Sequence, residues 1–468
     1  MSQQNPAHFS AAKFEASAVA CLGGICLAAL LYTTPREAFS SLMLWWGGAF
    51  VVFTWWLIRL NHLSIPWIIG IGIAWRLIAV FSLPELSDDY FRFLWDGHLL
   101  ANGVSPFEAL PTSYTANPRL MASLGLTPEL FEGLNSPEYF TIYPPVCQAV
   151  FWVAVTLFPE SIAGGVYVMK GLVFLAEIGT LLIGAKLLEK ADLPSKRISL
   201  YALNPLVIVE LTGNLHLEAF MLFFLLASLF FLANDRWSFS ILPFTLAVCS
   251  KLLPLMLLPL LVRYLGFWKS ARFGVGVLSL TILLFRPILD LETLQHLASS
   301  VALYFQQFEF NASVYYLLKP LVRTFIGYKA GVVFLGRALG ILAFLGILAI
   351  GWIKPRKDLA ALIRGMFWTF ALYLSLATTV HPWYVSSLVL LGMWTSHRFP
   401  IFWSLLLPMT YLTYLNAPEY QEVFSLVAVS YLLVYGMLAL EVFSKITEIN
   451  KMNFLYINSS KKHMKSIT

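Results

Sequence analysis

Charge is what this chain has least of. Only 12% of its 468 residues are Asp, Glu, Lys or Arg, where a soluble domain carries about 25%. That shortage, beside 59% hydrophobic and 15% aromatic residues, excludes an ordinary water-soluble enzyme. Cysteine is sparse too: Cys21, Cys26, Cys147 and Cys249 are scattered, with neither a metal-binding spacing nor a disulfide framework. No Gly-rich nucleotide loop and no repeat of fixed period occur, which argues against a nucleotide-sugar site and against a transporter built from inverted repeats. Short alternating segments are missing as well, so a transmembrane β-barrel is excluded. The N-terminus shows no signal-peptide pattern, and its first apolar run is expected to stay as an anchor.

What the chain does have is a succession of apolar runs of about twenty residues, each long enough to cross a hydrocarbon layer roughly 30 Å thick. The expected fold is an all-α polytopic membrane protein, with residues 1–468 forming one integral membrane domain. The net charge of +6 gathers in short loops and in a basic tail, 445–468, that contains "KKHMKS". This distribution fits the positive-inside bias and gives no reason to expect a nucleic-acid partner.

Three runs come first, at about 16–34, 40–59 and 63–83, followed by a polar segment, 84–145. The stretch 146–158 is too short to span comfortably and reads as re-entrant or interfacial. The run 163–187 ends in "KLLEKADLPSKR", which should be cytoplasmic. Continuing in this way puts every strongly basic loop on one side after about fourteen crossings. Segments 84–145 and 288–328 then become extracytoplasmic loops, and the tail is cytoplasmic. Six polar clusters reach the outer side: SDDYFRFLWDG, TIYPPV, GNLHLEA, the Lys251 turn, FEFNASVYY and HPWY. Such convergence is expected of a single site facing away from the cytoplasm.

The chemistry of these clusters can be read residue by residue. Asp88 and Asp89 could merely cap a helix, but Ser87 suffices for that. Two adjacent acids disfavour joint ionisation, which raises one carboxyl's proton affinity and suits a general base toward a hydroxyl. Arg92 and Asp96 stand four apart on one helix face, so they either pair with each other or leave the arginine to hold a phosphate by two contacts. Tyr143, before Pro144 and Pro145, sits at a rigid turn and offers a hydroxyl. Asn204, Glu210, His216 and Glu218 lie in or beside apolar helix, where ionisable groups are costly unless paired or functional. A bent joint at Gly213–Asn214 could join Glu210 to His216, and no metal-binding spacing is seen. Lys251 falls on the outer side against the charge bias, which an anionic ligand would explain, and Arg76, Arg286 and Arg323 invite the same reading more weakly. Lys170 and Glu177, seven apart, read as a buried pair within one span. His381 and Tyr384 sit at the outer interface, where the histidine could donate to a phosphate oxygen. Asn311, in FEFNASVYY, completes the set.

A base, several cations and aromatic rings at an outer leaflet suit transfer from a phosphate-linked lipid. The departing phosphate needs positive charge or donors, and the acceptor hydroxyl needs a base. The blocks "SDDYFRFLWDGHLLANGVSPF", "IYPPVCQAVF", "LNPLVIVELTGNLHLEA", "AVCSKLLPLMLLPLL", "FEFNASVYYLL" and "HPWYVSSLVLL" resemble, in this order, those of bacterial GT-C-type membrane glycosyltransferases. The chain looks closest to the polyprenyl-phosphate-mannose-dependent mannosyltransferases over most of 60–395. The resemblance implies a GT-C-like bundle of about 12–14 transmembrane helices, with a large first external loop carrying short interfacial helices. It also implies inverting hexose transfer, of mannose by family, at the periplasmic face of the inner membrane. The donor would be a polyprenyl-phosphate sugar and the acceptor a lipid or glycan of the cell envelope. No cofactor is implied, since the lipid-linked sugar is a substrate, and a divalent metal is not favoured.

The family's acidic motif falls on Asp88 and Asp89, with Asp89, before the Tyr-aromatic-Arg run, preferred as base. Lys251, Arg92 and His381 would then steady the departing phosphate. Phe93 stands where the family pattern has a tyrosine and His98 where it has a basic residue. A large C-terminal soluble domain of the oligosaccharyltransferase type is not seen. The competing expectations are a transporter or flippase, or a polymerase, for lipid-linked saccharides.

Overall fold

The computed structural model describes residues 6–60, 63–306, 308–353, 357–416 and 420–465. Among these the chain is helical from end to end, and the only pairing of extended backbone is an isolated bridge between Phe310 and Thr379. Of the basic segments read from the sequence, residues 354–356 and the last three residues of the tail lie outside the described residues.

Among the described residues seven helices are long and apolar enough to cross a membrane, or eight if the bent pair Pro205–Gly213 and Glu218–Leu232 is counted as one span. The chain is a multi-pass membrane protein. The remaining apolar helices are shorter: Ile65–Val80, Pro145–Leu157, Ile241–Ser250, Leu253–Leu265, Pro382–Gly392 and Phe399–Leu415. The expected 12–14 spans include these pieces except Pro145–Leu157, which is expected to be re-entrant or interfacial. Prolines account for several of the breaks, because Pro254, Pro382 and Pro400 sit at first-turn positions, where a missing N–H costs nothing. The bent pair turns through 111°, so its helices meet at the Gly213–Leu217 joint.

Segment 84–145 folds into the helix Asp89–Ala101 and three short ones, Pro111–Tyr114, Pro118–Ser123 and Pro128–Glu132. Each of the three opens on proline, and the Asn117 and Thr127 side chains accept from the N–H groups of Leu120 and Leu130. Pro145–Leu157 lies against the Asp89 helix, and a Cβ at Gly97 would come within 2.6 Å of the Phe151 carbonyl oxygen. Only glycine allows that backbone approach. Segment 288–328 is largely helical, as Leu291–Gln306 and Val314–Ile326. It lies over the first polar segment: His296 Nδ1 meets the Phe107 carbonyl at 2.8 Å and Ser105 donates to the Ile288 carbonyl at 2.5 Å.

Inside the bundle, two expectations fail. Lys170 and Glu177 do not pair. Seven residues of helix separate them by about 10.5 Å along the axis, so each finds a partner from another element. Glu177 takes Arg76 at 2.9 Å and the Tyr201 hydroxyl at 2.7 Å, all fully buried. Arg76 also donates to the Ala202 carbonyl at 2.6 Å, so it is a partnered internal cation and not a ligand site. Lys170 donates to the Ser82 carbonyl at 2.5 Å and to its hydroxyl at 2.9 Å.

Candidate active site

Asp89 opens the helix Asp89–Ala101, preceded by Ser87 and Asp88. The Ser87 hydroxyl accepts from the Asp89 N–H at 3.4 Å, which frees both carboxylates from capping. They part company at once. Asp88 is ion-paired with Arg36, a residue of the turn joining the first two spans. Arg36 also lies over the Tyr414 ring, 4.6 Å from its centre. Asp89 instead accepts from the Asn135 amide at 2.8 Å and, among the described residues, has no cation in contact. Burial, opposed by the Asn135 bond and reinforced by Asp88 and Glu218, lifts the Asp89 carboxyl above the ordinary range, and Lys251 draws it partly back.

A second ion pair stands close enough to Asp89 for both its charges to act on the carboxyl. Lys251 is bonded to Glu218 and sits 4.0 Å above the centre of the Tyr384 ring. The two come from different turns: Glu218 from the joint of the bent helices, Lys251 from the break after Ile241–Ser250. Beside them runs a stack of four rings. Phe310 lies 5.0 Å from His381, His381 4.4 Å from Trp383, and Trp383 3.6 Å from His216. Burial and then Lys251 push the His381 imidazole down to about 3, so it is neutral at physiological pH and donates from one nitrogen. His216 is held through Nδ1 by the Glu210 carbonyl at 2.8 Å, and the Glu210 carboxylate accepts from Tyr411 at 2.8 Å and Asn214 at 3.3 Å. Asn214 in turn accepts from the Leu86 N–H at 3.4 Å, tying this joint to the start of the acidic segment.

All six polar clusters therefore meet at one end of the bundle, though not all their members face the same recess. Tyr143 lies edge-on to Phe93 at 4.9 Å, close enough to Asp89 that the carboxylate's charge, after burial, raises its phenol. Phe93 is stacked flat on Phe151 at 4.6 Å, an apolar slot with no use for a hydroxyl, which explains phenylalanine at that position. Arg92 and Asp96 pair with each other at 2.9 Å, and both are buried. Nη1 of the arginine donates to the Ser136 and Tyr139 carbonyls, at 3.4 and 3.0 Å. The internal pair thus describes them, and not a free phosphate fork. Asn311 clasps the back of the ring stack, donating to the Val380 carbonyl at 3.1 Å with its own N–H on Glu422 at 2.6 Å. Asn204 is not brought to the site. It caps Pro205–Gly213 from the far end, bonding the Leu206 N–H at 2.9 Å and the Ser404 hydroxyl at 3.1 Å, roughly 13 Å of helix from the joint.

Arg36, Asn135, Tyr411 and Tyr414 were missed by the sequence reading. Arg36 carried the same signal as Lys251, a cation on the side that positive charge avoids. The other three carried none, being ordinary polar residues in polar or aromatic segments. Among the described residues no three His, Cys, Asp or Glu side chains stand close enough to share a metal ion.

A helical membrane bundle with acids, cations and stacked rings gathered at one end has the build of a membrane glycosyltransferase. A family model described as alpha-(1->6)-mannopyranosyltransferase, N-terminal domain, matches residues 9–266, more than half of the chain, and the chain belongs to this MptA/B family. No protein of curated function matches it.

Proposed function

We propose that this protein moves a mannosyl unit from a polyprenyl-phosphate donor to a hydroxyl of a lipid or glycan acceptor, at the periplasmic face of the bacterial inner membrane. The acceptor hydroxyl gives its proton to Asp89. Its oxygen attacks the anomeric carbon, the bond from that carbon to the phosphate oxygen breaks, and polyprenyl phosphate leaves with the electron pair. The configuration inverts. A β-linked donor then yields an α-linked product, in agreement with the linkage in the family's description.

The observation that carries this reading is the isolation of Asp89. Among the described residues it is the one carboxylate of three at this spot without a cation in contact, and the ion pairs Arg36–Asp88 and Lys251–Glu218 act on it by their charges. A base has to be ionised yet basic, which an unpaired and partly desolvated carboxylate provides. Lys251, at a half-exposed position over Tyr384, is the cation that can exchange Glu218 for the departing phosphate. The neutral His381 and the Tyr384 hydroxyl complete the donors on that side.

Asp89→Asn should lower transfer from radiolabelled polyprenyl-phosphate mannose by about 10²–10⁴-fold, with expression and membrane insertion unchanged. Full activity in that variant would sink the assignment. Incubating the wild-type protein with a set of lipid-linked donors separates the competing classes. A transporter consumes no donor, and a polymerase ignores the monophosphate.

A further inference from the structure

Asp89 cannot serve as a base unless its carboxylate is held in place, and its own helix offers no group to hold it. What does so is a strap, residues 133–141, laid back along the Asp89 helix. The strap begins at Gly133, where a Cβ would stand 2.4 Å from the Phe91 ring, so only glycine lets the chain lie this close. Further along, Arg92 grips the Ser136 and Tyr139 carbonyls. Asp96, one turn on, accepts from the Thr141 hydroxyl at 2.5 Å and from Gln148 at 2.9 Å. Between these anchors stands Asn135. Its oxygen accepts from the Ser136 hydroxyl at 2.9 Å, which turns its NH₂ group toward Asp89 at 2.8 Å. Among the described residues Asn135 is the one side chain hydrogen-bonded to the Asp89 carboxylate.

We infer that Asn135 is the positioning residue of the proposed base, fixing the Asp89 carboxylate through a hydrogen bond to its ionised form, and that Arg92 and Asp96 act through it by pinning the strap. This rests on the reading of Asp89 as base. The other groups facing Asp89 are Asp88, Glu218, Lys251 and the Tyr143 and Tyr414 hydroxyls. Asp88 and Glu218 favour its protonated form and Lys251 its ionised form, but none of them fixes its direction. The Asn135 bond also opposes the effect of burial on Asp89.

The test is the pH dependence of transfer by the purified full-length protein in nanodiscs, with synthetic polyprenyl-phosphate mannose and a mannoside acceptor. Asn135→Ala should raise the acidic limb of the kcat profile by about one pH unit and lower its plateau roughly tenfold, with KM for the donor little changed. Asn135→Asp, which keeps the shape but sets a second carboxylate against Asp89, should move the limb further up. Ser136→Ala, a mild change that only loosens the amide, should move it less in the same direction. A uniform loss at every pH, with the limb in place for all three, would overturn the positioning role. Asp89→Asn in the same assay separates the two claims. If it is inactive while the limb stays put in the Asn135 variants, only this inference falls. If it is active, the base assignment falls and takes this inference with it.

Discussion

At Asp89, burial and hydrogen bonding pull in opposite directions, and neighbouring charges decide the balance. Burial raises the carboxyl's proton affinity, Asn135 lowers it, and Asp88 adds a like charge whose effect depends on Arg36. Two outcomes follow from the sign of these effects. Because the proposed base works in its ionised form, and the Asp89 carboxyl is raised above the ordinary range, transfer should fall as the pH drops through that raised value. The fall should begin at higher pH than it would for an unperturbed aspartate, which a pH–rate profile of kcat would show. Arg36→Ala leaves Asp88 uncompensated beside Asp89, so it should move the acidic limb upward. The double variant Arg36→Ala/Asp88→Asn should return the limb toward its wild-type position, and a double variant no better than the single would show that charge is not the link. At this scale the sequence displayed the two acids. It could not display Arg36 or Asn135, which stand 52 and 46 residues away from their partners.

Among helices, spacing told which residues share a face but not whether they touch. Arg92 and Asp96, four apart, do pair, because one helical turn brings their side chains together. Lys170 and Glu177, seven apart, do not, because two turns carry them beyond reach and cross-helix partners are nearer. The same arithmetic placed Asn204 with Glu210 and His216 in one block, yet the helix between them is long enough to send Asn204 to another layer. Two consequences are measurable by thermal unfolding in detergent. Glu177→Ala leaves Arg76 buried without its counter-charge and should cost about 3–5 kcal/mol. Gly97→Ala drives a methyl group into the Phe151 carbonyl and should cost about 1–3 kcal/mol, lowering activity with it, since the Asp89 helix would have to shift off Pro145–Leu157.

The molecule as a whole was legible in outline from charge and hydropathy alone. A chain with this little charge and this many apolar runs has to bury its backbone in helices, and basic loops sort to one side. The proposed orientation is tested on a cysteine-free background. Ala116→Cys, on the exposed surface of the acidic segment, should react with a membrane-impermeant maleimide in spheroplasts, and Lys190→Cys only after permeabilisation. The reverse pattern would invert the proposed topology. Membrane class and the acidic segment were determined by the sequence itself, because they depend on composition and period. Which carboxylate takes which cation was decided only by the tertiary structure. Asp88 with Arg36, Glu218 with Lys251, Glu177 with Arg76 and Asp89 with Asn135 are joined across 33 to 101 residues of chain. In an apolar interior a charged group takes the nearest compatible partner in space, and no local pattern encodes who that neighbour will be.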